Sequence, residues 1–294
     1  MDRLEGTPGQ VRENTAPLFH NVGTSPALLH MPRIPAMPAS PPASRDGTQA
    51  IRRAGAMLRA VAKAGPDGAA LADIARGEGL ARSTAHRILK CLVDDGFLEQ
   101  SADGRAYRIG GLIHELGLTS TSSAGEIARW RRVVEAVAAR TGVTCYLMRR
   151  SGVESVCLAQ VDGRGVMRFV PVEVGQRRLL GVGGGATALL AALPPERIEE
   201  VIRAIAPQLA PYPRITAAGL RAAVKLVHRT GFAVSQGTVV PDGFGLGLAI
   251  PDADGPPRLA ISIAAHATTV TESAITGWKK VMTDEVQRAL AEHA

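Results

Sequence analysis

The sequence predicts an α+β protein of two domains, and three observations support this prediction. Residues 71–95 contain two short amphipathic helices that are separated by a turn at Gly79. Two strand-like runs follow, joined through Asp103 and Gly104, and an Asp-Gly pair is a strong hairpin signal. From Ala124 onward, helical and strand-like patterns alternate. The first two observations predict a winged helix-turn-helix, and the third predicts a separate α/β domain.

Residues 1–46 form a segment rich in proline, with eight prolines among Gly, Ser and Thr and no sustained helical or strand period. This composition predicts a disordered arm. The arm is either a functional extension or upstream sequence translated from an early start. It has no basic run and no aromatic anchor, which favours the second interpretation.

The winged helix-turn-helix domain is predicted to span residues 47–110, starting with a supporting helix for which Thr48 is a candidate N-cap. Its apolar residues recur at helical spacing: Ile51, Ala54, Met57, Leu58 and Val61. A second helix is predicted at 71–78 and a third at 81–95. The third helix has an apolar stripe that consists of Ala85, Ile88, Leu89, Leu92 and Val93.

The rest of the third helix is basic and hydroxyl-bearing, and it contains no acidic residue until Asp94. In a helix-turn-helix, the start of the second helix lies in the major groove and contacts base edges and phosphates. We therefore predict that the following residues contact duplex DNA: Arg82, Ser83, Thr84, His86, Arg87 and Lys90. The alternative is a solvated face on an ordinary three-helix core.

The hairpin is predicted to have strands at 97–100 and 105–109, with Arg105 and Arg108 on the returning strand. A wing commonly contacts phosphate at this place, so both arginines are predicted DNA contacts. Residues 48–112 carry ten basic and seven acidic side chains. Such a modest excess suits a domain that binds DNA as a dimer and does not depend on bulk charge alone.

A linker helix is predicted within residues 111–123, because Gly110 and Gly111 break the strand and apolar residues follow at helical spacing: Leu112, Ile113, Leu116 and Leu118. The second domain is predicted at 124–294 as one curved sheet with helices packed on it. Its expected strands lie at 143–149, 155–161, 166–174, 247–251 and 258–264. Its expected helices lie at 125–140, 186–193, 195–205, 216–229 and 272–293, with a glycine turn at 181–185.

Composition limits the class of protein. The 294-residue chain has a formal net charge of +7, which favours an acidic partner without selecting nucleic acid by itself. The three cysteines, Cys91, Cys145 and Cys157, form no CxxC pair and lie in apolar patterns, so we expect small buried side chains in a reducing cytoplasm. No apolar run is long enough to cross a bilayer and the N-terminus has no signal-peptide pattern, so no membrane partner and a cytoplasmic location are expected.

Two groups of residues resemble the IclR family of bacterial transcriptional regulators. Residues 72–75, 82–89, 96–98 and 107–110 are similar to its DNA-binding module. Residues 138–142, 174–181, 186–191 and 260–263 are similar to its second domain in order and spacing. The resemblance covers about residues 48–292. It implies a GAF-like effector-binding domain after the winged helix-turn-helix, and assembly as a homodimer or homotetramer on operator DNA.

The resemblance also implies a pocket for a small-molecule effector, located against the sheet near the glycine turn. By position, the pocket residues are Gly183, Gly184, Gly185, Ser235, Gly245, Ser262 and Ala264. Exposed amides and a helix dipole make such a turn a natural carboxylate site. No metal and no cofactor are expected. A tight turn that joins a strand to a helix, with no ligand, is the alternative for the three glycines.

The chain departs from family members that bind small oxoacids. Those members present an acid, a cysteine and a second hydroxyl where this chain has Ser235, Gly245 and Ala264. A compact polyoxygenated ligand would leave more groups unpaired here, so a larger or more apolar carboxylate is expected. The effector's identity, the target genes and the direction of regulation stay open.

Other functional classes are less consistent with the sequence. Residues 181–186 satisfy the GxGxxA pattern, but a dinucleotide site also needs an acid at the end of a second strand, and Glu199 and Glu200 lie in an amphipathic helix. Hydrolase signatures such as GxSxG and HExxH are missing from the sequence. We expect no catalytic residue. The remaining alternative is a small-molecule sensor whose winged helix contacts proteins rather than specific DNA.

Overall fold

The computed structural model describes residues 48–119, 121–164 and 172–292, except for the side chains of 121–124. The expected arm at 1–46 lies outside the described residues. The N-terminal domain is a winged helix-turn-helix with these elements: α1 Gln49–Lys63, β1 Ala69–Ala70, α2 Leu71–Gly77, α3 Arg82–Asp94, β2 Leu98–Gln100 and β3 Ala106–Ile109. The three strands form an antiparallel sheet in the order β1-β3-β2.

One apolar core unites the three helices with this small sheet. Met57 and Val61 of α1 are buried against Ala85 and Leu89 of α3, while Tyr107 joins them from β3. Ile88 and Val93 pack against the edge of this core and remain half-buried. The apolar stripe predicted for the third helix is therefore confirmed, and its burial determines which side of α3 is exposed to solvent.

Three details of this domain differ from expectation. Thr48 is the residue before α1, but its hydroxyl makes no capping hydrogen bond and its backbone is helical. Strand β1 was not predicted, because two alanines give no periodic signal. Arg105 lies in the hairpin turn, one residue before β3, since Ser101 N bonds to Ala106 O and starts the ladder there.

The linker is a helix, α4, which spans Gly111–Leu118, and α5 follows at Thr121–Thr141. Three apolar side chains of α4 are solvent-exposed: Ile113 is 36% exposed, Leu116 49% and Leu118 66%. No residue of α4 is buried within the described part of the chain, so most of the apolar surface of this helix faces solvent.

The C-terminal domain is built on a six-stranded antiparallel sheet in the order β6-β5-β4-β9-β8-β7. The strands are β4 Thr144–Ser151, β5 Glu154–Val161, β6 Arg177–Leu179, β7 Ala233–Gln236, β8 Gly243–Ala249 and β9 Leu259–His266. The remaining helices are α6 Gly184–Ala191, α7 Pro195–Ile205, α8 Ala217–Thr230 and α9 Glu272–Ala291.

Helices cover both faces of this sheet, which explains why consecutive residues of its central strands β4, β5 and β9 are buried. Cys145 and Leu147 of β4 point to the face that carries α5 and α9, where Trp130 and Met282 complete one core. Tyr146 and Met148, on the same strand, point to the opposite face. There they join a second core with α6, α7 and α8.

Several predicted elements of this domain were wrong in position or type. The expected strand at 166–174 lies outside the described residues as far as residue 171, and residues 172–174 are not a strand. Strands β6 and β7 were missed, and β8 begins four residues earlier than expected. Helix α6 begins at Gly184 rather than at residue 186, so two of the three glycines belong to the helix.

The cysteine prediction is partly wrong. Cys145 and Cys157 are buried as expected, but Cys91 is exposed. Desolvation raises the pKa of the Cys157 thiol to about 12 and that of the Cys145 thiol further, so both are protonated and inert at neutral pH. Cys91 lies on α3 outside the Ala85, Leu89 and Leu92 stripe, which explains its exposure.

Candidate DNA-contacting surface and ligand cavity

The exposed side of α3 carries the predicted DNA contacts. Arg82, Ser83, His86, Arg87 and Lys90 are exposed, while Thr84 is half-buried. The first backbone amides of α3 receive no side-chain cap from Ala81, the preceding residue. These free amides add partial positive charge to the end of the helix that carries Arg82.

The basic residues of α3 differ in their local contacts. Lys90 Nζ lies 2.9 Å from Asp94 Oδ2, an exposed pair one helical turn apart. His86 Nδ1 lies 3.4 Å from the hydroxyl of Tyr107 and connects α3 to β3. Within the described residues, Arg82 and Arg87 form no ion pair, so their guanidinium groups can reach an external partner without breaking a contact.

The wing turn is held by Asp103. Its Oδ1 accepts hydrogen bonds from Ser101 Oγ at 2.6 Å and from Arg105 N at 3.1 Å. Both hydrogen bonds lower the pKa of Asp103, and the bond from Ser101 makes the larger contribution. Gly104 completes the turn with a φ of +69°. The turn leaves Arg105 and Arg108 exposed on the same hairpin.

A cavity of about 520 Å³, including the part open to solvent, lies between the sheet and the start of α6. All seven residues predicted for an effector pocket line it: Gly183, Gly184, Gly185, Ser235, Gly245, Ser262 and Ala264. They come from α6 and the loop before it and from strands β7, β8 and β9. The structure therefore brings the predicted residues together around one space.

Gly184 and Gly185 also allow α6 to pack closely against the sheet. A Cβ on Gly184 would lie 3.0 Å from the backbone nitrogen of Gly247, and one on Gly185 would lie 2.8 Å from the Met148 side chain. Gly183, in contrast, has a φ of +92° and only Val239 near its Cβ position. Helix α6 thus rests directly on the backbone of β8, which a tight turn alone would not require.

The polar groups of the cavity are few. Ser262 on β9 lies beside Gly185, and Ser235 on β7 shares a 2.7 Å hydrogen bond with Thr238. Among the remaining described lining residues, most are apolar: Met148, Val172, Val182, Ala186, Val239, Val240, Phe244 and Ile263. A mostly apolar wall with a few polar groups is typical of a small-molecule site.

Arg178 is the lining residue that sequence reasoning missed. It lies on β6, is 7% exposed, and is the one charged residue among the described residues that line the cavity. Desolvation lowers its pKa, and the nearby Tyr212, Tyr146 and Cys157 act in the opposite direction. The only sequence signal was a pair of arginines directly before the apolar Leu179 and Leu180.

Neither a metal site nor a membrane span is found in the part of the chain that the structure describes. Groups of three or more His, Cys, Asp or Glu side chains suited to a metal ion are not present there. The same residues contain no helix long and apolar enough to cross a bilayer. The sheet of the C-terminal domain is antiparallel, whereas a dinucleotide site of the GxGxxA type requires a parallel βαβ unit.

Both domains match known protein families. The IclR helix-turn-helix domain model matches residues 50–102, and the model of the bacterial transcriptional regulator IclR C-terminal domain matches residues 119–289. Together these matches cover most of the chain. The protein belongs to the IclR family of bacterial transcriptional regulators. The resemblance seen in the sequence is thus confirmed, as is the fold class.

Individual relatives agree with the assignment. The chain is 36% identical over 119 residues to a glycerol operon regulatory protein of Streptomyces coelicolor. The aligned region covers 40% of this chain and 42% of that protein. It is 33% identical over 165 residues to the HTH-type transcriptional regulator Rv1719 of Mycobacterium tuberculosis. This aligned region covers 56% of this chain and 61% of that protein. The chain therefore matches less than two thirds of the length of these relatives.

A solved structure shares the fold over a greater length. It is an IclR homologue from Microbacterium hydrocarbonoxydans in complex with 4-hydroxybenzoate, with a TM-score of 0.64 and 21% identity. The similarity covers 83% of this chain and 99% of that one. At this identity, the match shows that the two chains have the same fold.

Proposed function

We propose that this IclR-family regulator binds operator DNA through α3 and the wing, and that a small organic acid in the cavity changes that binding. The observation that carries the DNA part is the exposed side of α3, which presents Arg82 and Arg87 without an acidic neighbour in the first three turns. Major-groove recognition commonly uses arginine to contact guanine and the helix N-terminus to contact phosphate.

The wing extends the same positive surface. Arg105 and Arg108 are exposed on the hairpin that follows α3. Contacts from a wing to the backbone are expected to be independent of sequence and to depend on salt. Specific contacts are therefore assigned to α3, and backbone contacts to the wing.

A carboxylate-bearing effector is supported by the start of α6. The first amides of this helix have no side-chain cap, and Gly183 and Gly184 line the cavity there. Helix N-termini favour anions because their free amides and dipole are positive. The relative that was crystallised with 4-hydroxybenzoate, an aromatic acid, supports the same chemical class for this chain. Gly245 and Ala264 add no polar group, which favours a ligand with an apolar body.

We further propose that the protein is a homodimer or homotetramer, with a second copy covering α4. Ile113, Leu116 and Leu118 expose apolar surface on this short helix. Apolar surface of this kind is costly in water and marks a contact site. Symmetric pairing would place two copies of α3 on one operator, as helix-turn-helix dimers require. DNA as the partner implies a cytoplasmic protein.

Coupling between the cavity and the DNA is proposed to run through residues 111–123. This segment, which contains α4, joins the two domains along the chain. A ligand that prefers one of two arrangements of the linker shifts their populations, and it changes the affinity for DNA by the same factor by which DNA changes the affinity for the ligand.

A direct test is fluorescence anisotropy with duplex DNA from upstream of the gene and with a scrambled duplex of equal length. We expect tighter binding to the upstream duplex, and a mass of two or four chains by light scattering. Equal binding to the two duplexes would instead favour a sensor whose winged helix contacts proteins. A monomer at micromolar concentration would contradict the proposed pairing through α4.

A further inference from the structure

The geometry points to Arg178 as the residue that selects an anionic effector with an apolar body. This inference rests on the proposed effector cavity and concerns the chemistry of its ligand. Arg178 brings a full positive charge to a wall whose other described residues are uncharged. Arg178 is only 7% exposed, so its guanidinium is largely shielded from water, where a charge-assisted hydrogen bond to a carboxylate is strong.

Three titratable neighbours of Arg178 carry no charge at neutral pH. Burial raises the pKa of Tyr146 and of Tyr212, and it raises the pKa of the Cys157 thiol to about 12. These groups are therefore neutral and leave the positive charge of Arg178 in place. Guanidinium has five N–H donors, so Arg178 can keep its contacts within the protein while it also donates to a ligand.

Arg178 and the start of α6 contribute positive charge from two different sides of the cavity. Arg178 approaches from β6 at one edge of the sheet, whereas the amides of α6 lie over β8. The helix end contributes a partial charge and Arg178 a full charge. Between them, Met148 and Val182 contribute apolar side chains to the lining. An acid with one carboxylate and an aromatic or aliphatic body satisfies both features, whereas a small oxoacid would leave the apolar surface uncovered.

The experiment is calorimetric titration of the full chain with three acids, each paired with its neutral amide. The pairs are 4-hydroxybenzoate with 4-hydroxybenzamide, phenylacetate with phenylacetamide, and hexanoate with hexanamide. For wild type, at least one acid should bind, and its amide should bind about 10- to 100-fold more weakly, as expected for the loss of a charge-assisted hydrogen bond. Arg178→Met should remove this difference, and Arg178→Lys should retain part of it.

Arg177→Met is the matched control, because Arg177 is the adjacent residue on β6 and bonds to Glu154 rather than lining the cavity. It should leave the preference for acids unchanged. Thermal unfolding of each variant checks that the fold is retained. If Arg178→Met weakens acid and amide equally, or leaves acid binding unchanged, Arg178 does not select charge and the inference is wrong.

Three outcomes separate this inference from the proposed function. If wild type prefers the acids and Arg178→Met keeps that preference, an organic-acid effector stands and only the inference about Arg178 fails. If amides bind to wild type and acids do not, the inference fails together with the organic-acid part of the proposed function. If no acid and no amide binds, the inference fails together with the effector part of the proposed function. Operator binding, measured separately by anisotropy, would be unaffected by any of these results.

Discussion

At the scale of single residues, α3 shows that exposed basic side chains are not equivalent. Lys90 is paired with Asp94 at 2.9 Å, which satisfies part of its hydrogen-bonding capacity before DNA arrives. Arg87 forms no ion pair within the described residues and lies opposite the buried Leu89 and Ala85. Arg87 is thus better placed than Lys90 to read a base.

The first prediction concerns Arg87→Ala. If the guanidinium binds a base edge, the variant should lose about 1–3 kcal/mol of operator affinity and little affinity for random DNA. Anisotropy titrations with both duplexes measure the two effects. Arg229→Ala, an exposed arginine near the end of α8, is the control and should change neither. Equal loss on both duplexes would indicate a phosphate contact, and no loss would place Arg87 outside the interface.

Residue-level predictions from the sequence succeeded where a pattern reports burial. The stripe through Ala85, Leu89 and Leu92 is buried as its period requires. The prediction that Cys91 is buried was wrong, because a small apolar residue beside that stripe gives no sequence signal of its exposure. Arg178 was missed because a charged side chain normally indicates exposure, and only the fold shows that it lines a cavity.

At the scale of elements, the wing hairpin presents Arg105 and Arg108 on a turn held by Asp103. The double variant Arg105→Ala/Arg108→Ala should weaken binding by a similar factor on all duplexes. The dependence of log affinity on log salt should become shallower by about 0.9 for each phosphate that these arginines neutralise in the wild type. Titrations at several salt concentrations give this slope. An unchanged slope would show that the wing does not touch DNA.

The contact between α6 and β8 is the second element with a testable consequence. A side chain on Gly247 would overlap the backbone of Gly184, and neither backbone can move without separating the helix from the sheet. Gly247→Val should therefore lower the free energy of unfolding by about 1–3 kcal/mol or more. Urea unfolding followed by circular dichroism measures this change.

Gly277→Ala is the matched control for Gly247→Val. Gly277 is exposed within α9, and its Cβ would meet nothing within 4 Å. Alanine favours a helix interior over glycine by up to about 1 kcal/mol, so stability should rise slightly. If Gly247→Val unfolds at the same urea concentration as wild type, the close packing of α6 on β8 does not exist in solution.

Elements were predictable from the sequence when they were long and periodic. Helices α1, α3, α7 and α9 and strands β4, β5 and β9 lie close to their expected positions. Strands β6 and β7 are three and four residues long, too short for a period to be read. Helix α6 opens with two glycines, which local propensity disfavours. Only their packing against β8 and Met148 explains why the helix starts there.

At the scale of the whole molecule, one ion-paired group connects the N-terminal domain to the large sheet. Glu154 on β5 binds Lys63 of α1 at 2.6 Å and Arg177 of β6 at 2.9 Å, one cation to each carboxylate oxygen. Glu154 is only 9% exposed in its side chain. Since Arg178 follows Arg177 on the three-residue strand β6, this contact lies one residue away from the cavity wall.

The last prediction is that Glu154→Gln weakens the contact between α1 and the sheet. The substitution keeps the shape of the side chain but removes the charge shared by two partly buried cations. Breaking a buried pair costs about 3–5 kcal/mol, and the 29% exposure of Lys63 reduces this to about 1–3 kcal/mol. Glu199→Gln, whose partner Arg221 is exposed, is the control and should cost clearly less stability than Glu154→Gln.

A double-mutant cycle decides whether this loss arises between the domains. Lys63→Met, Glu154→Gln and the double variant are compared by urea unfolding, with limited proteolysis of residues 111–123 in the folded state. If Lys63 and Glu154 interact, the double variant should lose less stability than the sum of the single variants, and each single variant should expose the linker to protease. Strict additivity with unchanged proteolysis would mean that the contact does not join the domains. Coupling between the cavity and α1 would then be expected to use α4, which joins the two domains along the chain.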